Sequence, residues 1–222
     1  MGEDQMDLWL GTLMPDATTN VEYMPSPFEK AVLVYEEERL GRFSQVVMYK
    51  SADESLTIPV ASASSSPEAG LSTYATIGLS QFDNGLTSES GNRIGIELLV
   101  TGREENTFLA SGLANAALNI ASGGYQAKPG IIFPGIFDGY GPDITTPHGL
   151  LWYPFAWDKQ FDGLSRDGVD VEWLLVIPVS DDEVSFIAAN GPGFKGAGVE
   201  KLIDTFESDA VDIYDTGRSS AV

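Results

Sequence analysis

One histidine, His148, and no cysteine occur in this chain of 222 residues. Catalytic triads and most zinc sites need an imidazole, so any such site would have to use this one. It lies in Thr145-Thr146-Pro147-His148-Gly149, a turn ahead of a predicted strand. No serine partner announces itself, because Gly78-Leu79-Ser80-Gln81-Phe82 lacks the second glycine of a nucleophile elbow. His148 therefore reads as a turn histidine. The missing cysteines exclude disulfides, thiolate metal sites and cysteine nucleophiles. Carboxylates could act alone or hold a hard cation, and Asp138, Asp143, Asp158 and Asp162 gather in one stretch. With 33 acidic residues such spacing is expected by chance, and no EF-hand register appears. These acids read as solvated surface, so neither a metal, a cofactor nor an enzyme activity is expected.

Gly191-Pro192-Gly193-Phe194-Lys195-Gly196 matches G-x-G-x-x-G. A dinucleotide site needs a strand immediately before that loop, so that the following helix meets the pyrophosphate with its N-terminus. Here a short predicted helix precedes it and Pro192 stiffens it, which favours a connector between two helices. Nucleotide binding at this loop stays as an alternative. Glu36-Glu37-Glu38 is more informative. It falls near the C-terminal end of a predicted helix, where the macrodipole favours cations. Three acids there cost helix stability with no compensation visible in the sequence, which marks a place to look for function. A tolerated acidic patch is the other reading.

Acids outnumber bases 33 to 12, a formal net charge of −21. The excess is even: 17 acids and 6 bases in residues 1–111, 16 and 6 in residues 112–222. It therefore belongs to a folded surface and not to a tail. Such a surface repels nucleic acid and anionic membranes, and attracts a basic partner over long range. Solubility or a high-salt habitat would leave the same count. The N-terminal Met1-Gly2-Glu3-Asp4 is acidic where a signal peptide is basic, and no apolar run approaches a membrane span. A soluble, cytoplasmic protein is the expectation.

These residues need elements to position them. Residues 1–24 show no period and read as a poorly ordered or variable lead-in, ahead of a single domain over 25–222. Ser26-Pro27-Phe28-Glu29 combines a capping box with proline at the first helical position. Phe28, Val32 and Tyr35 give that helix a buried stripe, and Gly41 ends it. Strands are predicted over 43–49, 56–63, 71–79 and 94–100, with a loop over 81–92 that turns at Asp83-Asn84-Gly85. A helix follows over 106–121 and is stopped by Gly123-Gly124. Further strands are expected over 131–133, 150–155 and 171–179. The last is nearly continuous in apolar residues, as a central strand covered on both faces would be. Ser180-Asp181-Asp182-Glu183 is a second capping box, residues 198–206 form a last helix, and 211–214 a short strand. The order is α+β, a mixed and largely antiparallel sheet packed with helices.

Several of these segments resemble, in order, the suppressor of fused (SUFU) family. Tyr74-Ala75-Thr76-Ile77-Gly78-Leu79-Ser80 is similar to its signature strand, and Arg93-Ile94-Gly95-Ile96-Glu97-Leu98 to the strand that follows, with its G-x-E-L centre. Asn106–Ile120 resembles the next helix. Val171–Val179, followed by Glu183 and Gly191, resembles a late strand and acidic helix, and Arg218-Ser219 a C-terminal Arg-Ser. The resemblance covers about residues 30–220. It implies a mixed α/β fold and protein binding rather than catalysis. Stand-alone bacterial members look like immunity proteins or antitoxins encoded beside polymorphic toxins. Ala75, Gln81 and Phe82 depart from the pattern, since an acidic residue often follows Gly-Leu-Ser in the family.

The expected function is therefore a protein-binding domain that neutralises a basic toxin, such as a nuclease, through its acidic surface. Glu36, Glu37, Glu38, Asp83 and Glu89 are the candidate contacts. Besides the nucleotide-binding alternative, a peptide-binding adaptor that pairs a strand with one sheet edge remains.

Overall fold

The computed structural model describes residues 16–18 by their backbone, and residues 23–193 and 196–222. Its centre is a nine-stranded sheet in the order β1-β2-β3-β4-β5-β9-β7-β6, with β8 paired to β9 beside this path. The strands are β1 (Asp16–Thr18), β2 (Gln45–Lys50), β3 (Thr57–Ser64), β4 (Leu71–Thr76), β5 (Arg93–Arg103), β6 (Ile132–Phe133), β7 (His148–Trp152), β8 (Leu164–Arg166) and β9 (Val169–Val179). Among the described residues the sheet is joined by α1 (Pro27–Leu40), α2 (Leu109–Ala121), α3 (Asp181–Ala189) and α4 (Ala197–Ser208), with a 3-10 turn over Leu79–Gln81. Among the described pairings only β5 and β9 run parallel. Parallel neighbours require a long crossover. Here it is the whole segment from α2 to β8.

The two faces of the sheet bury separate apolar layers. Leu98 and Val100 of β5, with Leu174 and Val176 of β9, meet the apolar side of α2 and Phe133, Ile136 and Phe137. Leu99, Trp173, Leu175, Ile177 and Val179 face the other way, toward α1, α3 and α4. The continuous apolar run of β9 is thus covered on both faces, as its composition predicts.

Capping set the helix starts. The Ser26 hydroxyl accepts from the Glu29 N–H and Glu29 returns a bond to the Ser26 N–H, with Pro27 at the first position; Ser180 and Glu183 repeat the arrangement at α3. Two expectations need correction, and two short strands were not predicted. The strand predicted over 71–79 ends at Thr76, because residues 76–80 turn inward around a buried carboxylate. The stretch 211–214 is a turn: Ala210 has a left-handed φ of 50°, the Val211 N–H bonds back to the Phe206 carbonyl, and the Asp212 carboxylate accepts the Tyr214 N–H. The unpredicted β8 forms a hairpin with β9 across Asp167-Gly168, both left-handed. The unpredicted β1 pairs with Met48–Lys50 of β2, inside the stretch that read as a lead-in. Among the described residues no helix is long and apolar enough to cross a membrane.

Candidate protein-binding surface

The three consecutive glutamates near the end of α1 have three fates. Glu36 is fully buried and accepts the Trp173 indole N–H at 2.9 Å. It is therefore corrected: its side chain lies in the interior and offers no surface contact. Glu37 is exposed and folds over the helix end, where its carboxylate accepts the Phe43 N–H at 3.2 Å. Glu38 is exposed and points outward, 3.8 Å from Arg39. Arg39 supplies the cation that the last turn wants. The broken rule of three acids at a helix C-terminus thus has compensations that only the fold reveals.

Beneath α1 lies a second carboxylate. Glu97 sits on the α1-facing side of β5, directly beside Trp173 in the parallel register. Its oxygens accept the hydroxyls of Thr76 and Ser80 at 2.6 Å each, and the N–H groups of Gly78, Leu79 and Ser80 at 2.9–3.2 Å. Two glycines make this possible. Gly78 adopts a left-handed φ of 84°, and a Cβ on Gly95 would come within 2.3 Å of the Ser80 carbonyl. The Thr76-Ile77-Gly78-Leu79-Ser80 segment and the Gly95-Ile96-Glu97-Leu98 segment are thus two halves of one device, a buried carboxylate and the cradle that receives it.

Burial pushes Glu97 up to about 7, against the downward pull of its hydrogen bonds. Burial, and then the neighbouring Glu97, push Glu36 well above the usual carboxylate range, with Trp173 opposing. The second Glu36 oxygen has no hydrogen-bond partner among the described residues. With one donor against the five of Glu97, Glu36 has less to sustain a charge in the interior, so its surroundings favour the protonated form. Burial and the carboxylates of Glu29, Glu97 and Glu36 also raise the Tyr23 phenol.

The outer face of α1 is joined to the loop that follows β7. Arg39 donates to the Gln160 carbonyl at 2.8 Å and to Asp162 at 2.9 Å, while its guanidinium lies 3.4 Å over the Tyr35 ring. Tyr35 donates to Asp162 at 2.7 Å and stacks on Trp173 at 4.3 Å. Trp157 reaches Ser66, and Phe161 packs edgewise on Trp157. Earlier in the same segment Tyr153 and Phe155 are 51% and 53% exposed. Glu38 lines two shallow depressions, of about 370 Å³ with Val34, Glu37 and Arg42, and about 320 Å³ with Arg39, Trp157, Asp158 and Lys159.

Asp83 and Glu89 are exposed on the 81–92 loop. Asp83 accepts the Gly85 N–H, as its turn signal predicts. Ser88 and Ser90, either side of Glu89, anchor to Asp170 of β9. The described contacts do not join this pair to Glu37 and Glu38. His148 accepts the Gly135 N–H at Nδ1, which leaves the proton on Nε2 for Asp181 at 2.9 Å. It braces β7 against α3. The Gly191–Gly196 loop connects α3 to α4, with Gly198 donating to the Gly191 carbonyl, and a helix stands where a dinucleotide site needs a strand. Asp138, Asp143, Asp158 and Asp162 are all exposed, and no set of three potential ligands gathers for a metal among the described residues.

The suppressor of fused protein family model matches residues 54–219. The immunity protein YqcF of Bacillus subtilis is 28% identical over 187 residues, spanning 82% of this chain and 93% of that protein. Among solved structures, a SUFU homologue from Neisseria gonorrhoeae aligns with a TM-score of 0.50 at 19% identity, over 94% of this chain and 88% of its own. Drosophila Suppressor of Fused aligns with a TM-score of 0.62 at 16% identity, over 92% of this chain and 52% of that one. A Sufu–Fu complex gives 0.59 at 16% identity, over 89% and 93%. At these identities the structures speak for the fold, and the α+β expectation agrees with them.

Proposed function

The chain belongs to the suppressor of fused family, and we propose on that premise that it is an immunity protein that neutralises a basic toxin by binding it. The observation that carries this reading is the similarity to immunity protein YqcF along nearly the whole of that protein. The net charge of −21 supports a basic partner, because a surface of one sign draws the opposite sign from a distance and can block the path of nucleic acid on a nuclease. The family match and the likeness to an immunity protein support binding as the work of the chain. Glu37, Glu38, Asp83 and Glu89 are the proposed acidic contacts, Glu36 having moved to the core.

The test is genetic and then physical. The neighbouring reading frame should encode a protein with a basic C-terminal domain. Expressing that domain in Escherichia coli should stop growth, and co-expressing this chain should restore it, with a stable complex on gel filtration. A neighbour that is not toxic, or a toxic one that this chain neither binds nor neutralises, removes the immunity reading.

A further inference from the structure

We infer that the partner docks on the surface made by the C-terminal half of α1 and the segment 152–158, with Tyr153 and Phe155 as apolar anchors and Glu38 and Asp158 receiving a lysine or arginine. This rests on the reading above that the partner is a basic protein, and adds which face meets it and how. The acids alone do not locate an interface on a chain so acidic throughout. What distinguishes this face is that two exposed aromatics lie in the segment whose next residues, 156–159, line a depression together with Glu38. Tyr153 and Phe155 stand half in solvent on either side of Pro154, and Val34 is 57% exposed on the neighbouring helix. Large aromatic side chains carry most of the binding energy of protein interfaces, whereas rim charges act mainly on encounter and orientation.

The anchors are also pre-set. Pro154 fixes its own backbone, and the loop behind is clamped by Arg39 to Gln160 and Asp162 and by Trp157 to Ser66. Ordering on binding therefore costs little. Glu38 lines both depressions, with Arg42 in the first and Arg39 and Lys159 in the second, so a long cationic side chain of the partner reaches Glu38 by displacing Arg42 or Lys159, its aliphatic stem on Val34 or Trp157. Arg39 makes its short contacts to Asp162 and Gln160 and stands farther, 3.8 Å, from Glu38, so it neutralises that carboxylate only in part. The charge also selects the occupant. A second copy of the chain carries the same −21, and nucleic acid or an anionic membrane would be repelled likewise.

The test uses ¹⁵N-labelled protein titrated with the synthetic peptide Ac-(Arg-Leu)6-NH2, and with Ac-(Arg-Ser)6-NH2 as the purely cationic control. The leucine peptide should shift the amide signals of residues 34–38 and 152–158 and bind more tightly than the serine peptide. The double variant Tyr153→Ala/Phe155→Ala should raise Kd roughly tenfold at an unchanged Tm. Glu38→Lys should weaken both peptides. Shifts spread over the acidic surface or centred on 83–89, equal affinity for the two peptides, no binding, or a wild-type dimer in sedimentation that the double variant abolishes would each overturn the assignment. The growth assay remains separate. A chain that rescues growth without these shifts loses this face and keeps its immunity role, and one that shifts without rescuing growth keeps the face and loses that role.

Discussion

Glu36 and Glu97 differ from the other acids in what their oxygens touch. Glu97 has five donors, whereas Glu36 has one donor and an oxygen with no partner among the described residues. The sign of the resulting pH dependence follows from linkage. A carboxyl whose folded pKa is raised holds a proton in the folded state after the unfolded chain, near 4.5, has lost its own. Its stabilising effect is complete below 4.5 and is lost as pH rises through the folded value. Glu97, raised to about 7, acts in the same direction. Stability should therefore fall between pH 5 and pH 8, by up to about 1.4 kcal/mol per pH unit for each proton involved. Glu36→Gln keeps the shape and an acceptor for Trp173 but removes one of those protons. Urea unfolding of both proteins across that range should give a visibly flatter profile for the variant. Parallel profiles would mean that Glu36 is ionised in the folded protein. None of this burial was legible in Glu36-Glu37-Glu38 as a string. The alternation of Glu97 with Leu99 on one side of β5, and the step of four from Val32 to Glu36 along α1, were the available signals.

Elements that announce themselves locally were readable, and those made by distant pairing were not. Both capping boxes lie within four residues, so the starts of α1 and α3 could be read directly. β9 declared its burial through a long apolar run. β8 is three residues long and exists because β9 accepts it; its one local sign was Asp167-Gly168, a dipeptide suited to a tight hairpin. The same division holds at the proposed binding face. Arg39 reads as a helix-end cation, but its role is to tie the 160–162 loop to α1, a contact across more than a hundred residues. Arg39→Ala should free that loop while leaving the sheet intact. A loss of about 1–2 kcal/mol is expected, together with faster amide exchange over 159–163 and faster trypsin cleavage after exposed Lys159. Unchanged cleavage at Lys159 would show that Trp157 and Phe161 hold the loop without the arginine.

For the molecule as a whole, the charge and the sheet set opposite demands. A core covered on both faces can hold a surface of like charges together, and the repulsion remaining among them is a cost that salt reduces. The even spread of acids along the chain means that this cost is not confined to a segment that could fray to relieve it. Raising salt from about 50 to about 500 mM shortens the Debye length to a few ångströms. Two quantities should then move in opposite directions. The Tm of the free chain should rise, because self-repulsion is screened. The association rate with the proposed basic toxin domain should fall by roughly tenfold or more, because the long-range attraction is screened as well. The dissociation rate should change far less, since the proposed anchors Tyr153 and Phe155 hold by apolar contact, which salt does not weaken. Stopped-flow association and calorimetry on the same preparations separate these effects. A Tm that rises while the association rate stays flat would assign the charge to solubility or a high-salt habitat, and leave the aromatic face to find its partner without long-range attraction.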